Sequence, residues 1–212
     1  MAFNYKKCYD ISVSISSDLP IYPGDSEIKI MPLYSIEKGD SANILKLDLG
    51  SHTGTHVDAP AHFIGNGETL DDINIEKFCG PAKVFELQVQ KEIKIEDIIK
   101  LDINKDDIIL FKTRNSELWS HKEFQKDFIY LTPEAAEHLV NKDVKAVGID
   151  YLSIEQFRSK THSTHHMLLK NNILILEGIN LKEVPPGDYF LCFFPLKLQK
   201  ADGSPVRAVL FK

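Results

Sequence analysis

Six of the eight histidines in this 212-residue chain fall in two short segments, and imidazole is the side chain best suited to proton transfer and metal binding near neutral pH. The first segment, Ser51–Phe63, holds His52, His56 and His62 together with Asp58. Imidazole and carboxylate groups bind zinc, and they also suit manganese where carboxylates weigh more. The residue types therefore indicate a divalent-metal site, with a hydrogen-bonded structural patch as the alternative.

The spacing of these residues sets a condition on the backbone. The three histidines and the aspartate are all even-numbered, so an extended chain would direct them to one side. A helix is disfavoured by the glycine, the proline and the β-branched residues between them. In a fully extended chain His52 and His56 would be about 13 Å apart at Cα, which is too far for one ion. We therefore expect a bend, and Gly54 is placed to allow it.

A second histidine-rich segment, residues 161–166, needs a separate reading. His165 and His166 are adjacent, so on a regular element only one of them can face a given ion. Taken alone, a polar stretch of this kind is more often a surface loop than a group of ligands. Downstream, Glu177 directly follows a buried-strand pattern. A carboxylate there is costly unless a lysine or a metal ion pairs with it.

Composition excludes several function classes. Hydrophobic residues make up 43% of the chain and charged residues 26%, as in an ordinary globular protein, and we expect a single domain over residues 1–212. Acidic residues outnumber basic ones by 31 to 25, which argues against a nucleic-acid partner. The remaining histidines, His121 and His138, are predicted to lie at the surface. The three cysteines form no CxxC pair, so neither a disulfide framework nor a zinc ribbon is indicated.

The sequence also shows neither a signal-peptide pattern nor a membrane-spanning pattern. The N-terminal segment has no apolar signal-peptide core, and the longest apolar run is far shorter than the roughly 20 residues of a membrane span. We therefore expect a cytoplasmic protein with no membrane partner.

Strand-like segments outnumber helical ones. Short runs rich in Ile, Val, Phe and Tyr, bounded by turn residues, predict strands at Tyr9–Ser14, Ile28–Leu33, Leu45–Leu49, Lys83–Val89, Asp107–Lys112, Ala146–Ile149, Ile173–Leu176, Tyr189–Phe194 and Val206–Phe211. Thr132 reads as an N-cap followed by proline, which predicts a helix over Pro133–Asn141. Weaker helical patterns cover Ile95–Leu101 and His165–Asn171. The prediction is an α/β fold with strand-rich mixed sheets and few helices.

The first histidine-rich segment resembles the signature of a known protein family. Ser51–Phe63 resembles the HxGTHxDxPxHF signature of the cyclase family of metal-dependent hydrolases, which includes bacterial kynurenine formamidase and the isatin hydrolases. Four further motifs resemble the family in the same order: the xPGD turn at Tyr22–Asp25, GxDxxS at Gly148–Ser153, HxxLL…ILEG at His165–Gly178 and DGxPxRA at Asp202–Ala208. The resemblance covers nearly the whole chain and implies a swivelling β/β/α domain that forms a homodimer or a larger oligomer such as a homotetramer.

The resemblance also implies a site. His52 and His56 align with ligands of a first metal ion, and His165 aligns with the ligand of a second. Asp58 and Glu177 align with carboxylates that bridge two ions, which are zinc or manganese. His62 aligns with the catalytic acid/base, which would act alongside metal-activated water.

The implied substrate is a small aromatic amide. Hydrolysis of an N-formyl aromatic amide, as by an arylformamidase, is the leading reaction. The alternatives are ring-opening of a cyclic amide, as in isatin hydrolase, and a metal-binding protein without turnover. Tyr22 stands where the formamidases carry a substrate-contacting tryptophan, so we expect N-formylkynurenine to be a poor or secondary substrate.

Overall fold

Thirteen strands and three α-helices make up the regular structure of residues 4–212, the part of the chain that the computed structural model describes. The strands are β1 (Cys8–Asp10), β2 (Lys29–Tyr34), β3 (Ile44–Asp48), β4 (His56–Asp58), β5 (Cys79–Glu86), β6 (Glu92–Ile93), β7 (Ile108–Lys112), β8 (Tyr130–Leu131), β9 (Ala146–Ile149), β10 (Leu174–Glu177), β11 (Gly187–Cys192), β12 (Gly203–Pro205) and β13 (Val209–Phe211). The α-helices are α1 (Ile95–Ile98), α2 (Pro133–Asn141) and α3 (Ser163–Lys170), and short 3-10 helices cover Ile36–Lys38, Pro60–His62, Ile75–Phe78 and Arg114–Ser120.

Nine of the strands form one mixed sheet in the order β1-β13-β11-β5-β7-β9-β10-β4-β12. The central strands β5, β7, β9 and β10 are parallel, and the strands on either side are antiparallel. Continuous apolar runs in β7, β9 and β10 explain this placement, because strands covered on both faces carry few polar residues. The fold is therefore mixed α/β and strand-rich, as the sequence predicts.

Alternate side chains of the central strands enter two different cores. Ile108 and Leu110 of β7 join a cluster that includes side chains of β11 and β13. Ile109 and Phe111 join a second cluster, which includes side chains of α2 and α3. Helix α2 begins where predicted, since Thr132 Oγ accepts a hydrogen bond from the backbone N–H of Ala135. The two helices therefore cover one face of the sheet, and α3 lies directly beside β10.

The predicted elements are present, with shifted bounds. The helix over Pro133–Asn141 and the strand over Ala146–Ile149 match the structure residue for residue. Strands β4, β6, β8 and β12 were not predicted, because each has only two or three residues. His138 was expected at the surface but is half-buried, and its Nε2 atom is buried without a hydrogen-bond partner among the described residues.

The three cysteines are free thiols, and in the described part of the chain no helix is long and apolar enough to cross a membrane.

Candidate metal centre and active-site pocket

Adjacent antiparallel strands place three of the candidate side chains together. His56 and Asp58 are the first and last residues of β4 and point to one side of it, and Glu177 of β10 lies directly opposite His56. All three are buried, with 1%, 0% and 4% of their surface exposed. His56 Nε2 lies 3.4 Å from Asp58 Oδ1 and 3.4 Å from Glu177 Oε2. Strand pairing alone thus gathers one imidazole and two carboxylates.

A bend before β4 brings His52 to the same place. Gly54 has φ +64°, in the left-handed region that glycine adopts without strain. Gly178 packs so closely that a Cβ atom on it would lie 1.9 Å from the Gly54 carbonyl oxygen. The rings of His52 and His56 end up 5.0 Å apart, so the bend expected from the sequence is present. His52 Nδ1 lies 2.8 Å from Asp58 Oδ1.

Helix α3 supplies the next candidate. His165 is buried and points at the two carboxylates, with Nε2 3.3 Å from Glu177 Oε1 and 3.9 Å from Asp58 Oδ2. His166, its neighbour, is exposed. The structure therefore selects His165 over His166 as the inward-facing side chain.

Five of the candidate residues form two groups with ligand-like geometry. In the first group, His52, His56 and Asp58 each offer one atom within 4.8 Å of the others, and Asp58, His165 and Glu177 do the same in the second. Asp58 belongs to both groups. Two buried atoms of these groups, His56 Nε2 and Asp58 Oδ2, have no hydrogen-bond partner within residues 4–212. Because a buried polar atom without a partner is costly, these atoms fit a bound cation.

Each of the three candidate ligand histidines has a hydrogen-bond partner on one ring nitrogen, and this partner fixes where the other nitrogen points. His56 Nδ1 donates to the Gly54 carbonyl at 2.9 Å, which leaves the Nε2 lone pair facing the carboxylates. His165 Nδ1 lies 2.7 Å from Glu155 Oε2, which orients its Nε2 in the same way. His52 Nε2 lies 3.0 Å from Asp202 Oδ2. Hydrogen bonding of the non-ligating nitrogen to a carboxylate or carbonyl is typical of metal-binding histidines.

The electrostatic field of the cluster favours positive charge. Burial alone would lower the pKa of His165, but Glu155 and Glu177 outweigh it and raise the pKa to about 10. Burial would likewise lower the pKa of His52, and Asp58 and Asp202 raise it to about 10. Burial raises the pKa of Asp58, yet the neighbouring histidines hold it well below its usual range. Protons or a metal ion must balance the buried carboxylates.

His62 lies outside these two groups, although it forms a further group of possible ligands with His52 and Asp202. It ends the 3-10 helix Pro60–His62, and its ring stacks on His52 at a centroid distance of 3.9 Å. Its Nδ1 lies 3.4 Å from Asp202 Oδ2. Burial lowers the pKa of His62, and the nearby His52 adds to this, although Asp58 opposes both. The lowered pKa favours the neutral form of the ring, which is the form that accepts a proton.

A cavity of about 210 Å³ opens onto this cluster. Its lining includes all four candidate histidines and Glu177, together with Tyr22, Asp25, Phe63, Leu152, Ser153, Glu155, Gln156 and His162. Tyr22 is half-buried and packs edge-on against Phe124 and Phe157, with ring centroids 5.3 and 5.6 Å away. Phe63 stacks on His165 at 4.5 Å. The cavity thus has aromatic walls above an imidazole and carboxylate floor.

Sequence reasoning missed two functional candidates, Glu155 and Asp202. Both hold histidines that it did identify, and each lies in a motif quoted for the family or just beyond one. Asp202 contacts a histidine 150 positions away along the chain. No local pattern predicts such a pairing, and only the motif position of Asp202 could have drawn attention to it.

Comparison with known proteins identifies the family of this chain. The Cyclase family model matches residues 9–156, more than half of the chain. The chain belongs to the Cyclase family. It is 36% identical to a kynurenine formamidase of Geobacillus thermodenitrificans over 204 residues, covering 96% of each chain. A kynurenine formamidase of Bacillus anthracis is 35% identical, with 96% of this chain and 97% of the relative covered.

Solved structures show the same fold. A protein described as a "predicted metal-dependent hydrolase" from Bacillus stearothermophilus superposes with a TM-score of 0.85 at 36% identity, covering 97% of this chain and 98% of that one. Isatin hydrolase A from Labrenzia aggregata gives a TM-score of 0.86 at 21% identity, covering 96% and 93%. The second likeness concerns the fold alone.

Proposed function

We propose that this protein is a metal-dependent amide hydrolase of the kynurenine formamidase type, which cleaves an N-formyl aromatic amide with water. The observation that carries the proposal is the pair of buried ligand groups that share Asp58 and leave His56 Nε2 and Asp58 Oδ2 without partners. Relatives named kynurenine formamidase at 36% and 35% identity support the reaction class.

The ligand assignment follows the two groups. His52, His56 and Asp58 would hold one divalent ion, and Asp58, His165 and Glu177 would hold a second, so Asp58 belongs to both groups. Glu177 Oε2 also lies 3.4 Å from His56 Nε2 of the first group. All donors are nitrogen or carboxylate oxygen, which suits zinc and also manganese. A divalent cation bound there lowers the pKa of water and polarises a carbonyl oxygen.

The chain's own residues supply the remaining chemistry. His62 faces the cavity with one ring nitrogen near Asp202, so the other is free to accept a proton from the attacking water and to pass it to the departing amine. The Asp202 carboxylate holds the ring in that orientation. Attack at the formyl carbon breaks the C–N bond and releases formate and an aromatic amine.

The walls of the cavity determine which amide fits. Tyr22, backed by Phe124 and Phe157, contributes one aromatic face to the lining of the cavity, and Phe63 contributes another. A cavity of about 210 Å³ suits a small aryl amide rather than a polymer. Tyrosine has less stacking area than tryptophan, so N-formylkynurenine is a secondary substrate beside smaller aryl formamides.

Three broader expectations belong to the same proposal. The fold is a swivelling β/β/α arrangement in a single domain, the protein assembles as a homodimer or homotetramer, and it acts in the cytoplasm. Each of these follows from the family resemblance and from the composition of the chain.

A turnover screen tests the proposed function. The protein is stripped with a chelator, reloaded with Zn²⁺ or Mn²⁺, and offered formanilide, N-formylkynurenine and isatin. We expect metal-dependent release of formate from at least one formamide. Hydrolysis of isatin alone would replace the reaction with ring-opening, and a protein that binds metal but turns over none of the three would be a binding protein instead.

A further inference from the structure

Two of the three cysteines lie opposite each other on neighbouring strands. Cys79 is the first residue of β5 and Cys192 is the last residue of β11, and the antiparallel register makes them direct partners. The two residues are far apart along the chain and belong to no cysteine motif, so their spacing predicts no pairing. The register of the sheet is what brings the two thiols together.

The hydrogen bonds of the sheet show which kind of pair the cysteines form. The Phe193 N–H donates to the Phe78 carbonyl at 2.9 Å, so the adjacent pair of Cys79 and Cys192 is a non-hydrogen-bonded pair. In such pairs the Cα atoms lie about 4.5 Å apart and the side chains come closest. A disulfide needs Cα atoms about 4.4–6.8 Å apart. The backbone therefore already has the spacing of a disulfide between the two strands.

Both strands are anchored at this level. Phe78 and Phe193 are buried, and their rings pack with centroids 5.8 Å apart. The Cys79 carbonyl accepts a hydrogen bond of 3.0 Å from Lys145 Nζ. Because successive side chains alternate across a strand, the two cysteines share the face opposite the phenylalanines. A bond between them requires rotation of the side chains and no rearrangement of the backbone.

The surroundings of the pair allow exchange with a small reagent. Both thiols are only half-buried. Burial raises the pKa of the Cys192 thiol, and the neighbouring Cys79 adds to this, as expected of two thiols that face each other.

The third cysteine cannot replace either partner. Cys8 is exposed on β1, and β13 lies between β1 and β11. Two strand spacings amount to about 10 Å, which exceeds the ~7 Å limit between the Cα atoms of a disulfide. Cys8 therefore serves as an internal control.

We propose that Cys79 and Cys192 form an oxidative modification site, at which a low-molecular-weight disulfide converts the two thiols into a reversible disulfide. The thiolate of one cysteine attacks a sulfur of the small disulfide, which forms a mixed disulfide and releases one small thiol. The second cysteine attacks the protein sulfur of the mixed disulfide, forms the new S–S bond and releases the second small thiol. Two electrons pass from the cysteine sulfurs to the reagent, and the two protons end on the released thiols.

The bond would stabilise the folded chain. It closes a ring of roughly 110 residues, and closing a long ring restricts the unfolded chain strongly. The segment that follows His62 ends at Cys79, and the segment that leads to Asp202 begins at Cys192, so the bond also ties together two segments that reach the candidate active site. Any effect on turnover rests on the proposed function, whereas the bond and its effect on stability do not.

Peptide mapping and thermal unfolding test the site. Reduced wild type is incubated with oxidised glutathione, its remaining thiols are alkylated, and the digest is analysed by mass spectrometry. We expect one linked peptide pair that joins Cys79 to Cys192, with Cys8 alkylated. The melting temperature should rise by roughly 5–15 °C, and dithiothreitol should reverse both changes.

Matched variants separate this pair from general thiol oxidation. Cys79→Ser and Cys192→Ser should lose the linked peptide and the rise in melting temperature, whereas Cys8→Ser should keep both. If a serine variant fails to fold by circular dichroism, the peptide map of wild type decides alone. The proposal is overturned by wild type that carries only separate glutathione adducts, by a link that involves Cys8, by a link that forms only in denaturant, or by oxidised protein that melts no higher than reduced protein.

Discussion

Replacing Asp58 should remove metal from both ligand groups at once. Its Oδ1 atom lies 2.8 Å from His52 Nδ1 and 3.4 Å from His56 Nε2, and its Oδ2 atom faces His165 Nε2 at 3.9 Å. Asp58→Ala leaves two protein ligands in each group, whereas His165→Ala leaves the first group whole. We expect under ~0.2 metal equivalents per chain in Asp58→Ala but about one in His165→Ala, because a closed site normally needs three or four protein ligands.

Elemental analysis of protein dialysed against a defined metal buffer measures this difference. Asp58→Asn is the matched variant, since it keeps the shape of the side chain and removes the charge; its metal content should fall close to that of Asp58→Ala. Circular dichroism identifies any loss of fold. Equal metal content in the Asp58 and His165 variants would refute the shared role of Asp58.

Three further changes separate the roles of the surrounding residues. His62→Ala should keep most of its metal and lose roughly 10²–10⁴-fold in kcat; joint loss of metal and activity would make His62 a ligand. Glu155→Gln should weaken metal affinity by roughly 10–100-fold, because the carboxylate orients His165, and saturating metal should restore much of the activity. Tyr22→Trp should raise kcat/KM for N-formylkynurenine by up to about tenfold and change that for formanilide less, since stacking adds about 0.5–1.5 kcal/mol. A wild type that prefers N-formylkynurenine above every other amide would contradict the last expectation.

The sequence predicts the parts of the fold that depend on local pattern. Helix α2 could be placed because Thr132, Pro133 and an apolar stripe specify it within nine residues. The strand over Ala146–Ile149 could be placed because its apolar run ends at clear polar boundaries. The three residues of β4 carry no such run, so their strand conformation depends on pairing with β10 and β12.

The same distinction between local pattern and long-range packing applies to the candidate site. His52, His56 and Asp58 lie within seven residues, so their spacing alone indicated a common site and a bend at Gly54. The contacts of Glu155 and Asp202 with histidines depend on how separate elements pack, and sequence spacing does not report that. The pairing of two cysteines across the sheet likewise depends on the register of β5 and β11, which no local pattern predicts.

Formate release that depends on added metal is the direct test of whether this protein is a metal-dependent amide hydrolase. Protein stripped by chelation is titrated with Zn²⁺ or Mn²⁺ while hydrolysis of formanilide and N-formylkynurenine is followed. We expect no turnover without metal, activity that rises to a plateau at one to two equivalents per chain, and no recovery in Asp58→Ala. Full activity in the stripped protein, or activity that Asp58→Ala retains, would contradict it.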